Sequence, residues 1–381
     1  MPRSRSPVYD SQADRWQPCP SCAILLGSRP SKPTWRRSMN QRFLASLVAL
    51  AAAALPHLSG QLATPAQKRP AGVQKDLAAK TKAGTIPRTP DGHPDLQGIW
   101  TNATLTPLER PADLTGKLNI TDAEATAYER RRIETADADR RDGPETDVGS
   151  YNELFFDRGA HLARVDGSSR TSLIIDPADG KIPPLTPEAQ KRVDDARAAV
   201  RMHPADRPSD RSLAERCIIW RTAGPPMMPG PYNNEYEIVQ TPGYVTILVE
   251  MIHDARIIPL DGSKHLSPDI QLWMGDPRGH WEGDTLVVDT TNFTGKTRFS
   301  GSSDKLHLVE RFNRVDANTI LYKFTVDDPS SFTKPWTAEY PLRQSKGPVY
   351  EYACHEGNYA LLDILRGARQ EESSAAQKKN K

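Results

Sequence analysis

The chain lacks any marked charge bias. Its 50 basic and 48 acidic residues among 381 leave a formal net charge of +2. Neither a nucleic-acid footprint nor a funnel for acidic substrates follows from that balance. The marks of several common chemistries are missing too. There is no phosphate loop, G-x-G-x-x-G, H-E-x-x-H or G-x-S-x-G, and no alternation of strand and helix patterns that would build a parallel nucleotide-binding sheet. No cofactor is therefore expected. Cysteine is scarce, with four residues. Cys19 and Cys22 form PCPSC, but a structural zinc site needs a second pair of ligands nearby, and none is visible. Long apolar runs are also few: one stands out, FLASLVALAAAAL at residues 43–55.

That run is shorter than the ~20 residues needed to cross a bilayer and matches the apolar region of a secretory signal, with Arg42 as its positive flank. A retained membrane anchor is the alternative. Residues 1–38 have no hydrophobic period and read as a disordered extension upstream of a start at Met39. The signal then covers residues 39–63 and a disordered tether residues 64–84. One β-rich domain spans residues 85–369, with a helical insertion at about 120–212, and a disordered tail closes the chain at 370–381. Export to the periplasm or outside the cell follows, with no membrane association after the signal is removed.

Hydrophobic residues at 37% and charged residues at 26% suit a soluble globular protein. The 33 prolines favour loops and strand ends over long helices. Thr121 with Glu124 forms a capping box at the start of a helix reaching about residue 141, and Thr186 followed by Pro187 starts a second. Between them, residues 172–175 read as a strand, 176–180 as a turn and 181–185 as a return strand. The Pro- and Gly-rich passage at 215–234 can be neither helix nor central strand, and is expected to lie across the surface of the sheet.

The stretch from Tyr232 to Val326 organises the rest. Alternate residues of a strand share a face. Val245, Ile247, Val249, Met251 and His253 fall together, as do Leu286, Val288, Thr290 and Asn292. Leu306, Leu308, Glu310 and Phe312 make a third row, with His307, Val309 and Arg311 behind it. Further strands are expected at 320–326, 334–341 and 349–354, then a short helix at 360–366. Turn signals about ten residues apart predict a mainly β fold, an antiparallel meander or barrel with a few peripheral helices.

The motifs PDGHPDLQGIWTN, SLIIDPADGKIPPLTPEAQ, EMIHDARIIPLDG, GDPRGHWEGDTLVVDTTNF, LHLVERF and YEYACHEGNY together resemble a widespread family of secreted bacterial proteins of unsettled function. The resemblance covers about residues 87–369 and implies export, but assigns no catalytic roles. Gly98-Ile99-Trp100 is also similar to the G-x-W at the first strand of lipocalin-like barrels, which implies a lipocalin-like barrel.

Glu310 is the most informative residue, because an ionised carboxylate in an apolar row must find a partner or stay protonated. Arg256 or His253 from a neighbouring strand could meet it inside a barrel; an exposed face for Glu310 is the alternative. His253, Asp254 and Arg256 share a strand-end turn, a common place for binding and catalytic groups, although an Asp254–Arg256 ion pair with His253 packed on Met251 is equally open. Cys217 and Cys354 are expected to pair, since an exported protein favours a disulfide over a free thiol. His355 and Glu356 beside them could line a site. No spacing supports a metal. Tyr232, Trp273, Trp281, Tyr322, Trp336 and Tyr340 are core by default, and some could line a cavity.

The leading expectation is a barrel or curved sheet holding a small, partly apolar molecule oriented by His253, Arg256, Glu310 and His355. Asp254, Trp281, Asn292, Arg311 and Glu356 complete the ligand-binding candidates. The rival is a cofactor-independent lyase, isomerase or hydrolase with His253, Glu310 and His355 as acid–base groups. A third is an envelope interaction module without a pocket.

Overall fold

A computed structural model describes residues 86–137, 153–297 and 299–379. The extension, the signal segment, the tether, and Cys19 and Cys22 lie outside these residues. The strands are β1 (Gly98–Thr101), β2 (Asn119–Ile120), β3 (Arg164–Val165), β4 (Ser168–Arg170), β5 (Ile174–Asp176), β6 (Glu235–Gln240), β7 (Tyr244–Val249), β8 (Ala255–Pro259), β9 (Asp276–Glu282), β10 (Thr285–Thr291), β11 (His307–Asp316), β12 (Thr319–Asp327) and β13 (Trp336–Gln344). Two antiparallel meanders, β6–β8 and β9–β13, are joined by β1, giving the order β8-β7-β6-β1-β13-β12-β11-β10-β9. β5 adds to β13, and β2, β4 and β3 form a small separate sheet. The end strands β8 and β9 lie side by side. The fold is thus a nearly closed antiparallel barrel, as the strand pattern predicts.

Period-2 patterning decides which side chains fill it. Along β11 and β12 every second residue is buried. Glu310 sits opposite Phe324, and Phe312 opposite Tyr322. Val245, Ile247, Val249 and Met251 of one expected row, and Leu286, Val288 and Thr290 of the other, also face inward, whereas His253 and Asn292 at the row ends do not. Each large apolar side chain so buried stabilises the fold by about 1.5–3 kcal/mol. β9 and β10 meet through Gly283–Asp284, where Gly283 has φ +59, as a tight hairpin requires.

Three sequence expectations are corrected. The passage before β6 does not lie across the surface: Ala223 and Met227 are fully buried within the core cluster. Prolines lack an N–H, so the segment carries few donors needing partners. Its Met227 N–H and C=O are taken by the Tyr322 and Tyr340 hydroxyls. Residues 349–354 form no strand, because the Tyr350 N–H is donated to a Glu250 side-chain oxygen (3.1 Å) rather than to a ladder. Residues 181–185 contribute only one bridge, Leu185 to Phe332, since Pro183 and Pro184 cannot donate.

The helices start where expected. Thr121 and Glu124 form the capping box of α1 (Asp122–Ala136), and Thr186 accepts from the Ala189 N–H at the start of α2 (Pro187–Met202). The closing helix is longer than predicted: α3 (Tyr359–Lys379) continues through the tail expected to be disordered. Gln, Glu, Ala and Lys are strong helix formers, and Arg369 pairs with Glu372 one turn on (2.5 Å). The Cys217–Cys354 disulfide is present and links the passage before β6 to the segment after β13.

Two features hold the barrel wall. At the β8–β9 seam, a Cβ on Gly279 would meet Leu260 Cδ2 at 2.5 Å and Ile258 Cγ2 at 2.8 Å. Outside, the loop between β8 and β9 is strapped to β10 and β11. His265 contacts Asp276 (3.2 Å) and Asp289 (3.0 Å), and Asp289 contacts His307 (2.7 Å). Hydrogen bonding to Asp289 raises His307, opposed by burial, and the same bond holds Asp289 below the usual carboxylate range.

Gly279→Val should therefore force the seam apart and cost about 1–3 kcal/mol in chemical denaturation, while Gly283→Ala leaves the seam untouched. A pH effect follows from the strap. The raised His307 contributes stability that is complete below about pH 6.5 and is lost as pH rises through its folded value. The depressed Asp289 contributes above about pH 4, and loses it as pH falls through its folded value. The melting temperature should thus decline from pH 6 to pH 9, and His307→Gln should flatten that decline; an unchanged slope would exclude the strap.

Candidate functional site at the barrel rim

The barrel interior carries an ion pair. Arg256 on β8 and Glu310 on β11 are both fully buried. Arg256 Nη1 donates to Glu310 Oε1 at 3.1 Å, and Nη2 donates to Oε2 at closer range. Tyr322 donates to Glu310 Oε1 at 2.7 Å. Burial works to pull Arg256 down, but the Glu310 charge and its hydrogen bonds outweigh it, so the guanidinium is held above its ordinary value. Burial, and then the Glu310 charge, pushes Tyr322 well up, so it is a neutral donor. Tyr236 donates to Thr222 C=O (3.1 Å), and Asn102 donates to both the Tyr236 oxygen (3.1 Å) and Met227 C=O (3.3 Å). These groups and Met227 are packed against one another in the core.

The other sequence candidates lie elsewhere. His253 and Asp254 are exposed on the turn after β7, His253 with φ 59. His355 and Glu356 are exposed beyond Cys354. The expected convergence of His253, Arg256, Glu310 and His355 is thus corrected: only Arg256 and Glu310 meet. β7 ends at Val249, so the alternation that put His253 on the inner face stops before it reaches that residue. Trp281 stacks on His93 at 4.4 Å. Asn292 donates to the carbonyls of Leu266, Ser267 and Ile270, pinning the strapped loop. Arg311 pairs with Glu282 on the outside (2.7 Å).

A different set of residues forms a cavity. A groove of about 630 Å³ opens at the rim where β6 starts and β7 ends, lined by Phe155, Asp157, Tyr232, Asn233, Glu235, Glu250, Gly347, Pro348, Tyr350 and Tyr352. Glu250 is 3% exposed and organises it. One of its oxygens accepts from the Glu235 N–H (3.2 Å) and the other from the Tyr350 N–H (3.1 Å). Asn234 accepts from the Gly230 N–H (2.7 Å) and donates to Asp157 C=O (2.5 Å), fixing a second wall. The third wall, carrying Tyr350 and Tyr352, is anchored by Cys354 in the disulfide.

Glu235 is the polar group the groove leaves unfinished. Its Oε1 accepts from Ser345 Oγ (3.1 Å), while its Oε2 is buried with no protein donor. Burial raises its carboxyl above the usual range, Ser345 opposes this, and the charges of Glu250 and Asp157 add to the rise. Phe155 and Tyr350, by contrast, are 61% and 63% exposed at the mouth.

Sequence reading missed Asp157, Glu235, Glu250 and Tyr350. Glu250 falls on the outer row of β7 by alternation, and only the turn after Val249 rotates it inward. The aromatic cluster in YEYAC was its one visible signal. Comparison with protein-family models, curated proteins and solved structures finds no match.

The Arg256–Glu310 pair has its own signature. Glu310→Ala should destabilise by about 3–5 kcal/mol by stranding the guanidinium. Arg256→Met with Glu310→Leu should cost clearly less than the two single changes summed, measured by urea denaturation as a double-mutant cycle.

Proposed function

We propose that this is an exported binding protein that takes a small, partly apolar molecule into the rim groove rather than into the barrel interior. The carrying observation is the cavity itself: about 630 Å³, with aromatic side chains around a few convergent polar groups, the usual make-up of a small-molecule site. The apolar run at residues 43–55 and the Cys217–Cys354 disulfide support export. Among the described residues no helix is long and apolar enough to cross a membrane. Membership of the secreted bacterial family that the motifs resemble is part of the same proposal.

A second reading has one observation in its favour. Glu235, with its raised carboxyl beside Glu250, has the character of a general acid. On that reading the groove turns over its ligand without a cofactor, through Glu235 in place of the histidines.

A thermal-shift and intrinsic-fluorescence screen of ring-bearing small molecules tests the binding reading. Saturable hits should raise the melting temperature, and Tyr350→Ala should weaken them by about tenfold, the loss of roughly 1.4 kcal/mol of aromatic contact. Cys354→Ser should also weaken them, by loosening the wall that Tyr350 occupies. Hits indifferent to Tyr350→Ala, or an absence of saturable hits, would sink the proposal. Consumption of a hit that stops in Glu235→Gln would establish turnover.

A further inference from the structure

We propose that the rim groove selects an organic cation: an amine or quaternary ammonium carried on a flat apolar body. This rests on the groove being a ligand site at all, and adds the ligand's charge and shape.

The lining is one-sided. Asp157, Glu235 and Glu250 face the groove, and among the described residues that line it there is no Lys, Arg or His. The chain as a whole is nearly neutral, so this is a local arrangement rather than a general acidic character. Carboxylates brought together in a partly enclosed space repel one another. A cation among them relieves that repulsion, and more strongly in a partly enclosed groove than in open water, because the lower effective dielectric strengthens each charge contact. An anion would meet only like charge.

The aromatic residues point to the same class. Tyr232, Tyr350 and Tyr352 line the groove with the carboxylates, and ring faces attract ammonium groups through their quadrupole. Glu235 Oε2 is buried without a donor, so its charge is left uncompensated beside the groove. A bare metal ion fits less well. Both Glu250 oxygens are already engaged by backbone N–H groups, and no group of three or more ligating side chains among the described residues is placed to hold a metal.

Proton linkage supplies a further handle. Glu250 at the end of β7, Asp157 from the segment before β3 and Ser345 after β13 all act on Glu235. On their other side, Glu235 and Asp157 border a second cavity of about 250 Å³ that Arg343 and His161 also line. Within the groove proper, a bound cation favours the ionised Glu235. Affinity should hold above the raised Glu235 value and fall as pH drops through it, with proton release on binding in that range.

The test is calorimetric titration of the full chain with three probes of one shape: benzyltrimethylammonium, benzyl alcohol and benzoate. The ammonium should bind at least about tenfold more tightly than the alcohol, and benzoate most weakly. Glu235→Gln and Asp157→Asn should each narrow the gap several-fold, chiefly by weakening the ammonium. Thermal melts of both variants confirm that they are folded. If the alcohol or benzoate binds as tightly as the ammonium, the groove remains a ligand site and the cation inference falls. If the ammonium preference survives both substitutions, the inference falls as well. If none of the three binds, the groove reading and the inference fall together.

Discussion

The ion pair between Arg256 and Glu310 is the constraint on which the rest depends. β8 begins the strand order and β11 stands seventh in it, so their inward side chains can meet only if the sheet curls round on itself. Neither charge could be buried alone without a penalty of several kcal/mol. Curling, burial and pairing are therefore one event. Once the pair forms, its unused hydrogen-bonding capacity recruits Tyr322, and Tyr322 in turn fixes the backbone of Met227. A proline-rich segment that could form neither helix nor strand thereby becomes part of the interior.

Filling the barrel centre this way moves the available space to the rim. There Glu250 plays the organising part that Glu310 plays inside, but with backbone rather than side-chain partners. It ties the start of β6 to the end of β7 and to the segment leading to Cys354. One buried carboxylate thus sets the positions of Glu235 and Tyr350, two residues of very different exposure. The tightly packed interior and the open groove are complementary, since rigid walls are what keep a rim site in shape.

The barrel seam follows a separate logic. β8 and β9 approach closely because Gly279 presents no Cβ, and the loop joining them is held to the outer wall by His265, Asp289 and His307. These contacts lie on the far side of the wall from the ion pair. They govern how well the barrel stays closed, and leave the groove chemistry to other residues.

Much of the fold was legible in the sequence because it depends on short-range pattern. Two-residue alternation identified the inward rows of β7, β10, β11 and β12, and the caps at Thr121 and Thr186 marked helix starts to the residue. Glu310 stood out for the same reason: a charge in an apolar row demands a partner, and Arg256 was among those named. The pairing of Cys217 with Cys354 followed from redox compartment. The failures share a cause. His253 was carried inward by extending a period past the end of its strand, and residues 349–354 look like a strand until the partner they lack is considered. The groove was invisible because its contacts span the chain, with Glu250 meeting Tyr350 100 positions away and Glu235 meeting Ser345 110 positions away. Periodicity reports which face a residue occupies. Only the closed sheet decides which distant faces share a space, and so which carboxylates and rings come together at the rim.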